Sequence, residues 1–503
     1  MKKLLFIILL ITSILSLSCN RNKILSPSYI GKAGEITVNP YGVTPLSAVY
    51  TTESVNGIPI TVTVKGLYGE PDIVHTYPAG YGKEFEIHGM FPESQNTIIV
   101  NDGGRIITKN VITSSLPNGI QKKYDVEINN LPEEKYPNNP DLYFINYAQT
   151  SSFKTIGVLS ISSSGYVRYF LQEYQSSKIN VNNKKMMFYA MYDDYNSDLI
   201  GNKVFNYNKN VHHDVIHVNN NYLHLSYSIW GAEDRLVEIN NSDVKRELSF
   251  GKLIQNSLDL NMYTEDEEIF RKIVFGEDIN NIYTENGQQK VIDWFHANSL
   301  VYDSSKDILY VSSRHRGVLA IDYSEWKLIW WMADETLATQ VPGAIPYDVH
   351  FKDLKSLDPY RVKGDALNDG PKNQHALFLL ENGNLGMFDN QGDENTNPSG
   401  SRYVEYKITG SHGNYTATKV YEYKDSSLYS RIMSDVDFTG ANHQNLLLNY
   451  SYPASRIVEV EKNTKKELFK LSLPFSSYRA DKMPLYYDEG RVYSEDCNLK
   501  NSN

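Results

Sequence analysis

HANSLVYDSSKDILYVSSRHRGVLAIDYSEWKLIWW, residues 296–331, reads as one complete unit of four short strands. His296–Tyr302 supplies the first, Ile308–Ser313 the second, Val318–Ile321 the third and Lys327–Trp331 the fourth. Asp, Ser and Gly mark the breaks, where the chain must turn. The opening of this unit recurs in His213-Asp-Val-Ile-His-Val and in His375-Ala-Leu-Phe-Leu-Leu. Each continues through a polar turn into a second apolar strand: Asn219-Asn-Asn then Tyr222-Leu-His-Leu, and Glu381-Asn-Gly-Asn then Leu385-Gly-Met-Phe. The closing half recurs as Leu236-Val-Glu-Ile with Val244-Lys-Arg-Glu-Leu, and as Ile457-Val-Glu-Val with Lys466-Glu-Leu-Phe-Lys-Leu. Repeated strand-turn-strand units of this kind belong to a radial β architecture. With an opening unit around Ile156–Leu171, five or six blades fit the length of 503 residues.

Two stretches, Asn256–Asp278 and Ala333–Lys372, break the rhythm and read as insertions with short helices on the face where blades are joined. Before the repeats, from about Ile30 to Ser115, short alternating strands predict a small β-sandwich: Glu35-Ile-Thr-Val, Leu46-Ser-Ala-Val-Tyr, Ile60-Thr-Val-Thr-Val, Phe85-Glu-Ile-His and Thr97-Ile-Ile-Val. Leu116-Pro-Asn-Gly-Ile-Gln reads as the link. Composition agrees: 38 tyrosines favour pleated, half-buried strands over helices.

Residues 1–18 read as a signal peptide, with Lys2 and Lys3 ahead of an apolar run from Leu4 to Leu15 that is too short to span a bilayer. Cys19, followed by polar residues, resembles a bacterial lipoprotein acylation site, although Ser16 stands where that pattern prefers Leu. The expected organisation is a signal at 1–18, a tether at 19–29, a sandwich at 30–118 and a propeller at 119–503. That makes the chain an exported one, periplasmic or anchored to a bacterial envelope membrane through lipid alone. Cys497 is the other cysteine, so an acylated Cys19 leaves no intrachain disulfide. A net charge of −11 without a basic stripe argues against nucleic acid as a partner.

In a propeller the first strand of each blade lies beside the central channel, so His213, His296 and His375 converge on one axis. Arg314 ends the strand after His296, and antiparallel pairing can return it beside that histidine. A single histidine here would be an ordinary structural residue, but three at equivalent repeat positions point to a site. The last unit carries Ser434-Asp435 instead. Three imidazoles can hold zinc or copper, yet a permanent guanidinium repels a dication and better suits an oxyanion such as phosphate or sulfate. Of His212 and His213 only one can face inward by strand alternation, and the spacing favours His213. His217 and His224 read as surface or core residues, and His315 and His350 as loop or rim residues.

Four stretches in order resemble the bacterial arylsulfate sulfotransferases that work without a nucleotide sulfate donor. They are Val38-Asn-Pro-Tyr-Gly-Val-Thr-Pro-Leu-Ser-Ala, Phe295-His-Ala-Asn-Ser with Val311-Ser-Ser-Arg-His, Gln374-His375-Ala with Phe388-Asp-Asn, and Tyr478-Arg-Ala-Asp-Lys-Met-Pro-Leu-Tyr. The resemblance implies an all-β fold, a six-bladed β-propeller preceded by a β-sandwich. It also implies His375 as nucleophile, with His296, Arg314 and His213 around a sulfuryl group. Donor and acceptor would be phenolic, with no cofactor and no metal, and a homodimer is compatible with it. Well-known members carry a disulfide that an acylated Cys19 rules out here, and the His212-His213 region matches the family pattern less tightly. A propeller that binds a sulfated or anionic ligand without turnover is the alternative, and a metal-dependent hydrolase or lyase comes third.

Overall fold

The computed structural model describes residues 30–53, 57–148, 155–182, 184–191, 195–207, 211–226, 234–241, 243–257, 284–285, 288–289, 295–335, 355–392, 400–491 and 493. The signal-like segment, Cys19, His350 and Cys497 lie outside them.

Alternation in Ile60–Val64, buried at every second residue, places one face of a sheet on a core. That strand sits within a four-stranded antiparallel sheet with Ile73–Tyr77, Gln95–Asp102 and Arg105–Ile112. A three-stranded sheet of Glu35–Val38, Ser47–Thr51 and Glu84–His88 faces it. Together they form the sandwich. Pro117–Gly119 makes a single 3-10 turn on the way out.

Six blades follow. The unit read from residues 296–331 is blade 4, with strands Ala297–Asp303, Ile308–Ser313, Gly317–Asp322 and Lys327–Met332 paired in that order. Blade 3 runs His212–Val218, Asn221–Ser226, Arg235–Asn240 and Asp243–Ser249. In blade 5 the order from the channel is His375–Leu379, Leu385–Asp389, Arg402–Thr409 and Thr416–Lys424, with the short Lys363–Gly364 added outside. Blade 6 is Asp435–Thr439, Asn445–Tyr450, Arg456–Glu461 and Glu467–Ser472. Blade 2, which the sequence pattern did not mark, is Ser176–Asn182, Lys185–Ala190, Tyr195–Asp198 and Lys203–Asn206. Its two outer strands have four residues each, too few to display a period.

The two ends of the chain close the ring. Ser476–Met483 is the inner strand of blade 1, followed outward by Leu142–Ala148, Thr155–Ile161 and Val167–Gln172. Val126–Asn129 adds a fifth, outer strand to blade 6. The opening unit around Ile156–Leu171 therefore supplies the outer half of blade 1, and its channel strand comes from the far end of the chain.

Among the described residues, Asp365–Asp369 is a short helix within the second expected insertion, while the helix Phe250–Ser257 precedes most of the first. Phe250 stacks on Phe295, 4.2 Å between ring centres, and fixes the approach to His296. Among the described residues no helix is long and apolar enough to cross a membrane. The sandwich shares one continuous core with blades 1, 2 and 6. Arg168 of blade 1, fully buried, donates to the Gly89 carbonyl at 3.0 Å and to Glu70 at 3.1 Å, and lies 4.0 Å over the Phe91 ring.

Candidate active site

The inner strands do not enter the channel as regular ladders. Pairing slips between His212 and Val215, between Ala297 and Ser299, between His375 and Phe378, and between Ser477 and Ala480. Left-handed backbone accompanies the first three slips, with φ of 57° at His213, 55° at His296 and 50° at Ala376, and recurs as 87° at Ser434 before the unslipped inner strand of blade 6. Non-glycine residues seldom adopt this conformation, and a bulge re-aims the side chain that carries it. Strict alternation thus fails at the point where the histidines sit. His213 is turned inward and buried, while His212 is half-buried with its ring 4.4 Å from that of His213.

Side chains stitch neighbouring blades together around this mouth. Gln374 donates through its amide to Ser312 Oγ at 3.0 Å and to the carbonyls of Ser313 and Gly317 at 2.8 and 2.9 Å. Asn298 donates back to the Gln374 carbonyl at 2.8 Å. Asp214 accepts from Leu300 N at 2.9 Å, and Arg479 donates to the Asn298 carbonyl at 3.2 Å. Blades 3, 4, 5 and 1 are therefore held in fixed relation where they converge. Hydrogen-bonded side chains of this kind set geometry more firmly than apolar packing.

Within that frame Arg314 N donates to the His296 carbonyl at 2.9 Å, so strand pairing sets the arginine beside the histidine. His213 and His296 have ring centres 5.2 Å apart. Tyr478, on the inner strand of blade 1, meets His213 Nδ1 through its hydroxyl at 2.5 Å. His375 is buried, and burial holds its pKa well below the ordinary 6.5. The contact with Asn390 acts the other way, while His213, Arg314 and His296 each oppose a positive charge on it. The charges of His213, Arg314 and His296 thus reach His375.

The His375 tautomer follows from its neighbours. Asn390 turns its amide nitrogen to the carbonyls of Ser430 and Met433, at 2.8 and 3.2 Å, which leaves its oxygen facing His375 Nδ1 at 2.9 Å. The Asn373 carbonyl also faces Nδ1, at 3.0 Å. Two acceptors at one nitrogen require a proton there, so the lone pair belongs to Nε2. Neither Asn390 nor Tyr478 was selected from the sequence as a site residue. Asn390 stands just past the second strand of blade 5, as Arg314 does in blade 4, and that parallel was the available signal.

His315 lies in the turn after Arg314 but is buried rather than on a rim, its ring 5.6 Å from His296. His217 is exposed and His224 lies in the core. Below the histidines the channel holds Arg479 between Asp214 and Asp435, and burial raises the Asp435 carboxyl despite that arginine. Among the described residues no group of three or more His, Cys, Asp or Glu is arranged to hold a metal ion.

A family profile described as arylsulfotransferase (ASST) matches residues 129–485, and one described as the arylsulfotransferase Ig-like domain matches residues 35–111. The chain belongs to the arylsulfotransferase family. The arylsulfate sulfotransferase AssT of Escherichia coli O6:H1 is 28% identical over 159 residues, 29% of this chain and 26% of that protein. The AssT of Lelliottia amnigena is 31% identical over 170 residues, with the same shares of 29% and 26%. The matched part thus spans about a quarter of the length of these curated relatives. Among solved structures, the Myceliophteria thermophila Cps50 (Swd1) β-propeller domain covers 72% of this chain and 97% of its own, at 11% identity and a TM-score of 0.35. Citrobacter koseri AztD covers 86% and 100%, at 9% identity and a TM-score of 0.30. Neither bears on chemistry, and the count of six blades rests on the strand pairings.

Proposed function

We propose that this chain is an arylsulfate sulfotransferase, moving a sulfuryl group from a phenolic sulfate ester to a phenolic acceptor through a sulfohistidine at His375, with no nucleotide donor. The observation that carries this reading is the two-acceptor anchoring of His375 Nδ1, which leaves a neutral imidazole with its lone pair at Nε2. A buried nitrogen base held neutral is a competent nucleophile near pH 7.

In the first half-reaction Nε2 forms a bond to sulfur and the bond from sulfur to the aryl oxygen breaks. The electron pair leaves on that oxygen, which takes a proton from an adjacent imidazole. His296 is assigned this general acid role, and the contact between His213 and Tyr478 makes His213 the second candidate. In the second half-reaction an acceptor phenol attacks sulfur and gives its proton to the same imidazole. The N–S pair then returns to His375. Arg314 faces the non-bridging oxygens, where a rigid fork of donors already in place stabilises the transferring group without reorganisation.

The signal-like segment ending at Cys19 supports placing this chemistry in the cell envelope on a lipid anchor. Loss of membrane association in Cys19→Ala is the outcome expected there.

The decisive experiment is intact-mass spectrometry after rapid mixing with an activated aryl sulfate. One added sulfuryl group is expected, discharged by phenol and absent in His375→Ala. No adduct, together with no phenol released from a panel of aryl sulfates, would sink the transfer reading and favour a binding protein.

A further inference from the structure

At the other end of the inner strands, between the sandwich and blades 1 and 2, lies a cavity of about 350 Å³. It is remote from the histidines. Tyr478 and Met483 lie five positions apart on one strand, Ser476–Met483, a span of roughly 17 Å at ~3.4 Å per position. The cavity opens beyond Met483, at Leu485–Glu489.

Rings build its walls. His75 stacks flat on Tyr486, 4.5 Å between centres and 1° between planes, and meets the edge of Tyr77 at 4.5 Å. Tyr77 in turn leans on Tyr81 at 4.6 Å. Two of the phenol groups are turned away into the backbone. Tyr77 donates to the Glu86 carbonyl at 2.8 Å, and the Tyr486 hydroxyl accepts from His88 N at 2.8 Å. Those residues therefore present ring surface to the cavity.

Its charges are matched in pairs. Glu86 meets Lys185 at 2.5 Å and His88 at 3.2 Å, Lys184 meets Glu489 at 3.4 Å, and Asp488 meets Arg491 at 3.2 Å. Polar groups outside these pairs include the Tyr81 and Tyr487 hydroxyls and the His75 ring. The His75 imidazole has no hydrogen-bond partner among the described residues, and burial lowers its pKa to about 4, so it is neutral at physiological pH. A neutral imidazole offers one donor and one acceptor. A phenolic hydroxyl offers the same two in return.

We propose that this cavity is a second binding site, for uncharged phenols, with the ring against Tyr77 and Tyr81 and the hydroxyl bonded to His75. Its volume falls in the range of small-molecule pockets, and ring surface beside a few placed polar groups, here flanked by matched ion pairs, is a usual construction of such sites. A sulfate ester is always anionic, and a cavity with no unmatched cation offers it nothing to offset desolvation. The site therefore selects the desulfated partner of the transfer proposed above. The physiological meaning of the ligand rests on that reading, whereas the cavity's own affinity for phenols does not.

The test is fluorine NMR titration of the full chain with 4-fluorophenol. His75→Phe keeps the stack and removes the hydrogen bond, so affinity at this site should fall about tenfold. Tyr81→Ala, at a residue 39% exposed and hence tolerant of change, should weaken it comparably. Sulfuryl transfer should persist in both variants, and 4-fluorophenyl sulfate should leave the His75-dependent resonance in place. Binding that is untouched by both variants but lost in Arg314→Ala would put the phenol in the channel and overturn the proposal. Absence of saturable phenol binding would overturn it too. A chain that binds phenol here but transfers nothing leaves this site standing and removes only the transfer reading.

Discussion

The two ends of the propeller's inner strands bury charge in opposite ways. At the sandwich end two buried ions are held in opposite-charge pairs: Arg168 has Glu70 and the Gly89 carbonyl, and Glu86 has Lys185 and His88. At the histidine end the groups are satisfied on one side only. His375 is anchored through Nδ1, Arg314 through its backbone, and His213 meets Tyr478 through one nitrogen. Completed pairs hold two domains together. Half-satisfied groups beside bulged backbone are what the transfer proposed above would draw on.

Substitutions should separate these behaviours. The largest effect belongs to His375→Ala, where transfer should fall by at least about 10³-fold with the melting temperature little changed. Turnover surviving within about tenfold of the native rate would mean that another group is the nucleophile. Arg314→Lys should cost roughly 10²-fold in kcat/KM, because a point charge cannot copy the guanidinium fork. An unchanged rate would leave Arg314 with no share in holding the oxyanion. Asn390→Leu should lower the rate of adduct formation by about 10-fold, since one of the two acceptors that hold the proton on Nδ1 is then lost. An unaltered burst in that variant would remove Asn390 from the assignment.

At the other end, Arg168→Met should leave transfer intact and destabilise the fold by about 3 kcal/mol or more, because Glu70 would stay buried without its partner. Chemical denaturation measures that loss, and a stability unchanged from the native chain would show that the two domains do not depend on this pair.

The smallest effect concerns pH. As the nucleophile proposed above His375 would have to be neutral, and burial holds its pKa well below 6.5. With an activated donor that needs no general acid, adduct formation should stay level as pH falls through 6.5 and decline only at distinctly lower pH. A half-loss centred on 6.5 would place His375 in water rather than in the site described.

Legibility in the sequence followed the same division. Blade 4 could be read almost residue by residue, since its strands are long enough to show alternation and its turns carry Asp, Ser and Gly. Blade 2 could not, because strands as short as Tyr195–Asp198 carry no period. His213, His296 and His375 were visible through repetition. Asn390 and Tyr478 were not: Asn390 shares its place in the blade with Arg314 but not its residue type, and Tyr478 meets His213 from 265 positions away.

The sequence by itself determined the strand-turn-strand repeat, the all-β class and the three histidines at equivalent places, because side-chain period and turn chemistry are local properties. Only the tertiary structure decided which chain end supplies the channel strand of blade 1, which nitrogen of His375 carries the proton, and that a ring-lined cavity lies under the sandwich. These depend on hydrogen bonds and stacking between residues up to hundreds of positions apart, which no local pattern encodes.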